Sequence, residues 1–426
     1  PMSARRQRQM CIRDRPRGFN DLDPSEFEHK SKLLNEIKTI FNSYFFKEIE
    51  TPIVEKKELF IRSVGEETDI VNKEMFTFQD RKGEGLVLRP EGTAGCLRFA
   101  IDSGLLDLGP IKLSYAGPMF RYERPQKGRS RQFFQVSAET YGVRGFEADL
   151  ELLMMANEIF QRFGIGNVSL NINSLGDEES QKKYASELKK YLSDFSEALD
   201  EDSLRRLETN PLRILDSKNE ETQKVIKDAP KISSFLSQKS ADNYELIKEG
   251  LNDLGISYIE DEKLVRGLDY YNDLVFEWTS PDLGSQNTFC GGGRYDRLSK
   301  QLGGRDCPAA GFSIGLDRLA LITQANESTS SSSLQIILTD ESYVSDGLKL
   351  SQELRKDNKD LRVLFSGYQS SLKNQLKKAD KNNIDFAVII GPEEVRSKNF
   401  SLKKLKEDED QLTLEYDQLV KELKNE

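Results

Sequence analysis

The sequence predicts a mixed α/β (α+β) protein with at least two folded parts, and three observations predict it. Residues 117–142, GPMFRYERPQKGRSRQFFQVSAETYG, pattern as one long antiparallel hairpin whose loop, 124–130, carries the turn formers Pro125 and Gly128. Residues 177–262 turn rich in Lys, Glu, Ser and Leu at helical spacing, which reads as a helical insertion between strand-bearing segments. Beyond a polar linker at 323–333, TQANESTSSSS, the apolar strands LQIILT, LRVLF and FAVII alternate with helical stretches over 334–426. Such alternation implies a small parallel or mixed sheet covered by helices.

Composition narrows the function. A chain of 426 residues can hold two or three domains and a sizeable core. Its net charge of -10 gives no global basic footprint, so any nucleic-acid contact rests on local patches. Cys11, Cys96, Cys290 and Cys307 form no CxxC pair, which argues against a zinc site or disulfide framework and fits a reducing cytosol. His29 is the single histidine, so histidine triads and HExxH metal sites are excluded, and proton transfer is left to carboxylates, substrate or water. His29 itself is expected on the surface of a helix. No run of 18 apolar residues suggests a membrane span. Residues 1–15 are basic and lack the apolar core of a signal peptide; they are expected to be a non-native or disordered segment.

In chain order, Asp23 as N-cap, Pro24 at the first helical position and Glu26 just beyond open a helix over roughly 25–47. Leu33, Leu34, Ile37, Ile40, Phe41, Tyr44 and Phe45 give it a broad apolar face. EIETPIVE follows as a strand carrying Pro52. MFTFQD and LVLR are strands joined by a Gly-rich turn, and TAGCLRFA opens a helix. Glu91 and Thr93 stand at that strand-to-helix junction, where they either serve a site or cap the helix.

In the hairpin, a period of two puts Phe133, Gln135, Ser137 and Glu139 on one face and Phe134, Val136 and Ala138 on the other. Arg121 and Glu123 likewise share a face. An arginine, two carboxylates, an amide and an aromatic plane suit a shaped pocket better than a solvated surface. VSLNINSLG reads as a further strand. After the insertion, LVRGLDYYNDLVFEWTS has Gly267 as a turn before Asp269, Tyr270 and Tyr271, and DLVFEW continues as a strand. The glycines of CGGGRYDRL let backbone approach a ligand closely. AAGFSIGLDRLAL gives a strand, a break at Gly315 and a helix with Arg318 in its first turn, where backbone amides favour anions.

The FRYERPQKGRSRQFFQ run resembles motif 2 of class II aminoacyl-tRNA synthetases, in the form found in histidyl-tRNA synthetases. The first helix with its Pro52 strand resembles motif 1, AAGFSIGLDRLAL resembles motif 3, and RGLDYY is the run most specific to the histidyl enzymes. The resemblance extends over nearly everything from Pro16 onward. It implies a class II antiparallel-sheet catalytic domain over 16–322 with the helical insertion at about 177–262, the linker 323–333, and an anticodon-binding domain over 334–426. It also implies a cytoplasmic homodimer, paired through the motif 1 region, that activates L-histidine with ATP and passes it from histidyl-adenylate to the 3′ end of histidine tRNA. Mg2+ would accompany ATP, with no protein ligand assigned to it.

Residue by residue, the resemblance places Glu91 and Thr93 on the amino group of histidine. Gln135, Tyr270 and Tyr295 would line the amino-acid pocket, while Glu139 and Tyr271 read the two imidazole nitrogens. Arg266 would lie against the carboxylate and, with Arg121, flank the α-phosphate as the catalytic pair. Phe133 would stack on adenine, Glu123 would meet its amino group, and Arg129 and Arg318 would hold the outer phosphates. Gln126 and Arg129 are candidates for the acceptor end of the tRNA. The family more often has Glu where this chain has Asp317. The rival implied by the same resemblance is a catalytically dead, histidine-sensing paralogue that regulates the first enzyme of histidine biosynthesis. Such paralogues usually lose site residues and the C-terminal domain, whereas Arg121, Arg266, Arg318 and a long segment after the linker are present here.

Overall fold

A computed structural model describes residues 14–65, 68–284, 287–323, 332–368, 370–406 and 410–424. The chain forms two compact units, Pro1–Gln324 and Ala325–Glu426. The N-terminal segment up to residue 13, and residues 324–331 of the expected linker, lie outside the described residues.

The first helix runs Pro24–Ser43 and opens with a reciprocal cap. Asp23 accepts from the Glu26 amide at 2.9 Å while Glu26 accepts from the Asp23 amide at 3.0 Å. It ends earlier than expected because Phe45 takes a left-handed φ of 69°, which turns the chain out of the helix. His29 is half-buried rather than on the surface, bonded through Nε2 to Thr323 Oγ1 at 2.9 Å. The expected strand over EIETPIVE is split into β1 (Lys47–Glu48) and β2 (Val54–Lys56), with Pro52 between them. Proline has no N–H for a ladder, so a single continuous strand could not be sustained there. β2 joins β3 (Phe76–Gln79) and β4 (Gly85–Leu88) in a small antiparallel sheet.

The main sheet adds β5 (Ile111–Phe120), β6 (Gln132–Tyr141), β7 (Ser169–Ser174), β8 (Tyr258–Glu260), β9 (Asn272–Thr279), β10 (Thr288–Arg294) and β11 (Ala309–Gly315). Its order is β1-β5-β6-β11-β10-β9-β7-β8. All inner pairs are antiparallel, and only the outermost pairs, β1–β5 and β7–β8, are parallel. The hairpin's first strand starts earlier than expected and stops at Phe120. Beyond it the Tyr122 amide turns away to the Glu74 carbonyl at 2.7 Å.

Alternation along the strands divides the two faces. Val136, Ala138, Phe276 and Phe312 point into a core closed by helices Pro24–Ser43, Glu147–Arg162 and Gln238–Asp253. The opposite face carries Tyr115, Met119, Tyr141, Tyr270, Tyr271 and Tyr295, packed with Leu188, Leu192, Leu207 and Ile214. Those leucines and the isoleucine come from the expected insertion, so its helices are solvated on one side only. The range 177–262 also proves too wide. Tyr258–Glu260 pairs with β7 in the sheet, and Ile247 and Leu251 of helix Gln238–Asp253 belong to the main core. The helices outside both are Glu178–Ser193, Glu201–Thr209 and Glu220–Lys227.

Arg294 ties the end of β10 to helix Glu147–Arg162. Its guanidinium donates to Asp149 at 2.6 and 3.1 Å and to the Gly145 carbonyl at 2.8 Å, with the pair 4% and 3% exposed. Removing one partner would leave a buried charge uncompensated. Arg294→Ala is expected to lower stability by about 3–5 kcal/mol, seen as a reduced urea midpoint at an unchanged denaturant slope.

The second unit is a five-stranded mixed sheet of β12 (Ser333–Leu338), β13 (Arg362–Phe365), β14 (Phe386–Ile390), β15 (Asn399–Lys404) and β16 (Leu412–Glu415). β12 lies parallel between β13 and β14, and β15 and β16 follow antiparallel. The last two strands are polar on alternate positions, which hid them in the sequence. Leu334, Ile336, Leu338, Leu354, Val388 and Leu402 make its core.

Candidate active site

The site lies on the face of the main sheet opposite the first core, where β5, β6, β9, β10 and β11 present side chains at every second residue. A cavity of about 650 Å³ opens there, lined by Arg121, Glu123, Arg129, Phe133, Gln135, Arg266 and Arg318 among others. Seven of the residues singled out in the sequence thus meet in one space. Its volume falls in the usual range for small-molecule sites.

The arginines are held by the protein before any ligand arrives. Arg121 Nε donates to the Pro90 carbonyl at 2.8 Å, and its guanidinium sits 5.2 Å from the Phe133 ring centroid. Arg318 donates to the carbonyls of Gly128, at 2.9 Å, and Thr288. Burial, with Arg129 nearby, lowers its pKa. Arg266 pairs with Glu277, whose other oxygen accepts from Thr288 Oγ1 at 2.6 Å. Burial is the largest influence and opposes the charge on Arg266, but Glu277, Tyr271 and Tyr270 together outweigh it and leave the pKa raised. Gly291 makes this possible, because a Cβ there would come within 2.8 Å of the Arg266 guanidinium.

Beside the cavity stands a buried cluster that does not line it. Glu139 on β6 accepts hydroxyl hydrogens from Thr93 at 2.8 Å, Tyr115 at 2.9 Å and Tyr295. Burial raises its pKa to about 8, and those hydroxyls pull in the opposite direction. Gly311 lies directly across from it on β11, where a Cβ would collide with the carboxyl group. Tyr270, Tyr271 and Tyr295 pack ring to ring at 4.6 to 6.3 Å. Arg266 reaches toward this cluster, 5.8 Å from the Tyr271 ring.

Other residues take less direct positions. Glu91 accepts the amides of Thr93 at 2.7 Å and Ala94 at 3.0 Å, so here it caps helix Thr93–Asp102. Burial raises its pKa against those two bonds. Glu123 is engaged by Arg129 Nε at 2.7 Å. Gln126 is exposed and only closes the hairpin loop by exchanging backbone bonds with Arg129. Asp317 accepts the Phe134 amide at 2.7 Å and pairs with Lys30 at 2.5 Å, which fastens the Arg318 helix to β6 and to the first helix.

Sequence reasoning missed Tyr115 and Glu277. Tyr115 lies opposite Ser137, which makes it a diagonal neighbour of Glu139 on the same face. Only the strand register could reveal that. Glu277 sits on the site face of β9 within DLVFEW, a run read only as a strand. Among the described residues no group of three or more His, Cys, Asp or Glu could hold a metal ion.

A family model described as histidyl-tRNA synthetase matches residues 18–319, and one described as anticodon binding domain matches 333–426. The chain is 44% identical over 411 residues to a histidine–tRNA ligase from Hydrogenovibrio crunogenus, covering 96% of each. It is 44% identical over 409 residues to another from Francisella philomiragia, covering 95% of this chain and 96% of that one. A crystal structure of apo S. aureus histidyl-tRNA synthetase superposes with a TM-score of 0.80 at 33% identity, covering 97% of this chain and all of that one.

Proposed function

The chain belongs to the histidyl-tRNA synthetase family, and on that premise we propose which of its residues carry the reaction. The activity is that of a histidine–tRNA ligase, an aminoacyl-tRNA synthetase. Its substrates are histidine, ATP and histidine tRNA. The observation that carries the residue assignment is a set of unsatisfied groups: Gln135 Oε1, Arg266 Nε and Arg318 Nη2 are buried without hydrogen-bond partners, and all three residues line the one cavity. Buried polar atoms are ordinarily paired, so these are matched to a ligand rich in donors and acceptors.

The histidine carboxylate attacks the α-phosphorus of ATP in line. A bond forms from carboxylate oxygen to phosphorus, the bond to the bridging oxygen breaks, and pyrophosphate leaves with the electron pair. The carboxylate is already a nucleophile at neutral pH, so no protein base is needed. Arg121 and Arg266 stabilise the charge at the α-phosphate, and catalysis is positioning plus electrostatics. Phe133 stacks on adenine beside Glu123, and Arg129 and Arg318 take the outer phosphates. Glu91 and Thr93 meet the amino group of histidine, and Gln135, Tyr270 and Tyr295 enclose its side chain. Glu139 accepts one imidazole N–H while the Tyr271 hydroxyl donates to the other nitrogen.

Mg2+ fits this site only as an ion that arrives on the ATP phosphates. The cavity wall carries the carboxylates of Glu123, Glu277, Asp216, Asp261 and Asp317, and among the described residues no three of His, Cys, Asp or Glu group as a cage for the ion. When bound, it neutralises phosphate charge. The 333–426 unit takes the anticodon arm, and Gln126 with Arg129 meets the acceptor end. The first helix and the segment after it form the homodimer contact, which suits the exposed Phe45, Ile53 and Val54. The cytoplasm is the compartment proposed. No helix among the described residues is long and apolar enough to cross a membrane. Amino-acid-dependent ATP–pyrophosphate exchange, run with each of the twenty amino acids and no tRNA, is expected with histidine alone. Histidine binding without exchange would contradict the assignment and point to a sensing role.

A further inference from the structure

The segment that carries the catalytic arginine, residues 266–271, receives three side chains from the insertion, Gln181 on helix Glu178–Ser193 and Asn210 and Arg213 from the stretch after helix Glu201–Thr209. Arg213 Nη1 donates to the Arg266 carbonyl at 2.7 Å. Asn210 Nδ2 donates to Asp269 Oδ1 at 2.9 Å. Gln181 Nε2 donates to the Tyr271 carbonyl at 3.0 Å, and its own oxygen accepts from Arg297 at 2.8 Å. The same stretch of insertion also reaches the other loop beside the cavity. Arg206 pairs with Asp69 at 2.5 Å, and Arg213 stands 4.0 Å from it, one residue before the cavity-lining Ile70.

Arg213 is the most buried of these anchors to carry a charge, with its side chain 13% exposed. Its guanidinium lies against Gly267, where an added Cβ would stand 3.5 Å from Nη1. Gly267 leaves the peptide after Arg266 free to rotate, and the bond from Arg213 removes that freedom. The Arg266 side chain then starts from a fixed Cα, and its guanidinium meets Glu277 and the cavity.

We propose that Arg213 is a positioning residue for adenylate formation, acting through the Arg266 backbone, so that the insertion sets the pose of the catalytic arginine. The inference rests on the role given to Arg266 above. Displacing a charge-stabilising group by about 1 Å can cost on the order of 100-fold in rate.

Arg213→Met keeps an unbranched aliphatic stem and removes the donors. In histidine-dependent ATP–pyrophosphate exchange it is expected to lower kcat about 10- to 100-fold, with the KM for histidine and the thermal midpoint little changed. Arg213→Lys, whose ammonium still donates to a carbonyl, is expected to recover most of the rate. Added to Arg266→Ala, Arg213→Met is expected to cost nothing further, since it acts through the residue already removed. A normal rate in Arg213→Met, or losses that multiply in the double variant, would overturn the inference. If Arg266→Ala exchanges normally, the role of Arg266 falls and this inference falls with it. If Arg266→Ala is impaired and Arg213→Met is not, the inference alone falls.

Discussion

Replacing Arg266 with alanine is expected to lower histidine-dependent ATP–pyrophosphate exchange at least 100-fold while the fold is retained. The size follows from the loss of one preorganised donor at a centre where charge develops, which typically costs about 100- to 1000-fold in kcat. Retention of the fold follows from what is left behind. Glu277 keeps its bond from Thr288 Oγ1 at 2.6 Å and borders an open cavity, so its charge is not stranded. The loss should fall on kcat and on kcat/KM together, because the α-phosphate, already anionic in ATP, draws most on the arginine once the fifth oxygen bonds to phosphorus. Near-normal exchange, or a variant that loses its near-UV circular dichroism, would refute this assignment.

Glu139→Gln is expected to separate stability from recognition. The glutamate carboxyl, pushed up to about 8 by burial, holds its proton in the folded state well above the ordinary value of 4.5. Such a group contributes stability that is fully present below the ordinary value and is lost as pH rises toward 8. Glutamine does not ionise, so at pH 8 the variant is expected to melt no lower than the parent, and the difference in its favour should shrink toward pH 5. Its recognition should suffer, because a charge-assisted bond to the imidazole N–H becomes a neutral one. Pockets that hydrogen-bond their substrate discriminate strongly by those bonds, and a loss of about 100-fold in kcat/KM for histidine is expected. In the parent protein histidine affinity should rise from pH 6 to about 8, as Glu139 gives up the proton that blocks its role as acceptor. A flat or falling profile, with a variant less stable than the parent at pH 8, would contradict this account.

Much of the site was legible because strand alternation is local. Phe133, Gln135 and Glu139 follow from the period of two in one ten-residue strand, and the split between site face and core face held at Val136 and Ala138. RGLDYY and GLDRL stood out through the resemblance to the synthetase family, since their residue types alone fit packing as well as a site. What escaped was set by register and by distant packing. Tyr115 reaches Glu139 only through the pairing of β5 with β6, and Glu277 meets Arg266 beside Gly291, the residue paired with Glu277 on β10. Helix Gln238–Asp253 looked like part of the insertion because its exposed side is as charged as the neighbouring helices. Ile247 and Leu251, buried in the main core, decide the matter, and their partners are far away in sequence. Glu91 was legible as either a cap or a ligand contact; here its two oxygens take the helix amides.

The most direct test of the central claim is a crystal structure of the protein with a non-hydrolysable histidyl-adenylate analogue. The account predicts the imidazole between Glu139 and Tyr271, adenine on Phe133, and the Arg121 and Arg266 guanidiniums within hydrogen-bond distance of the phosphate mimic. An imidazole bound away from Glu139, or a phosphate mimic out of reach of both arginines, would contradict it.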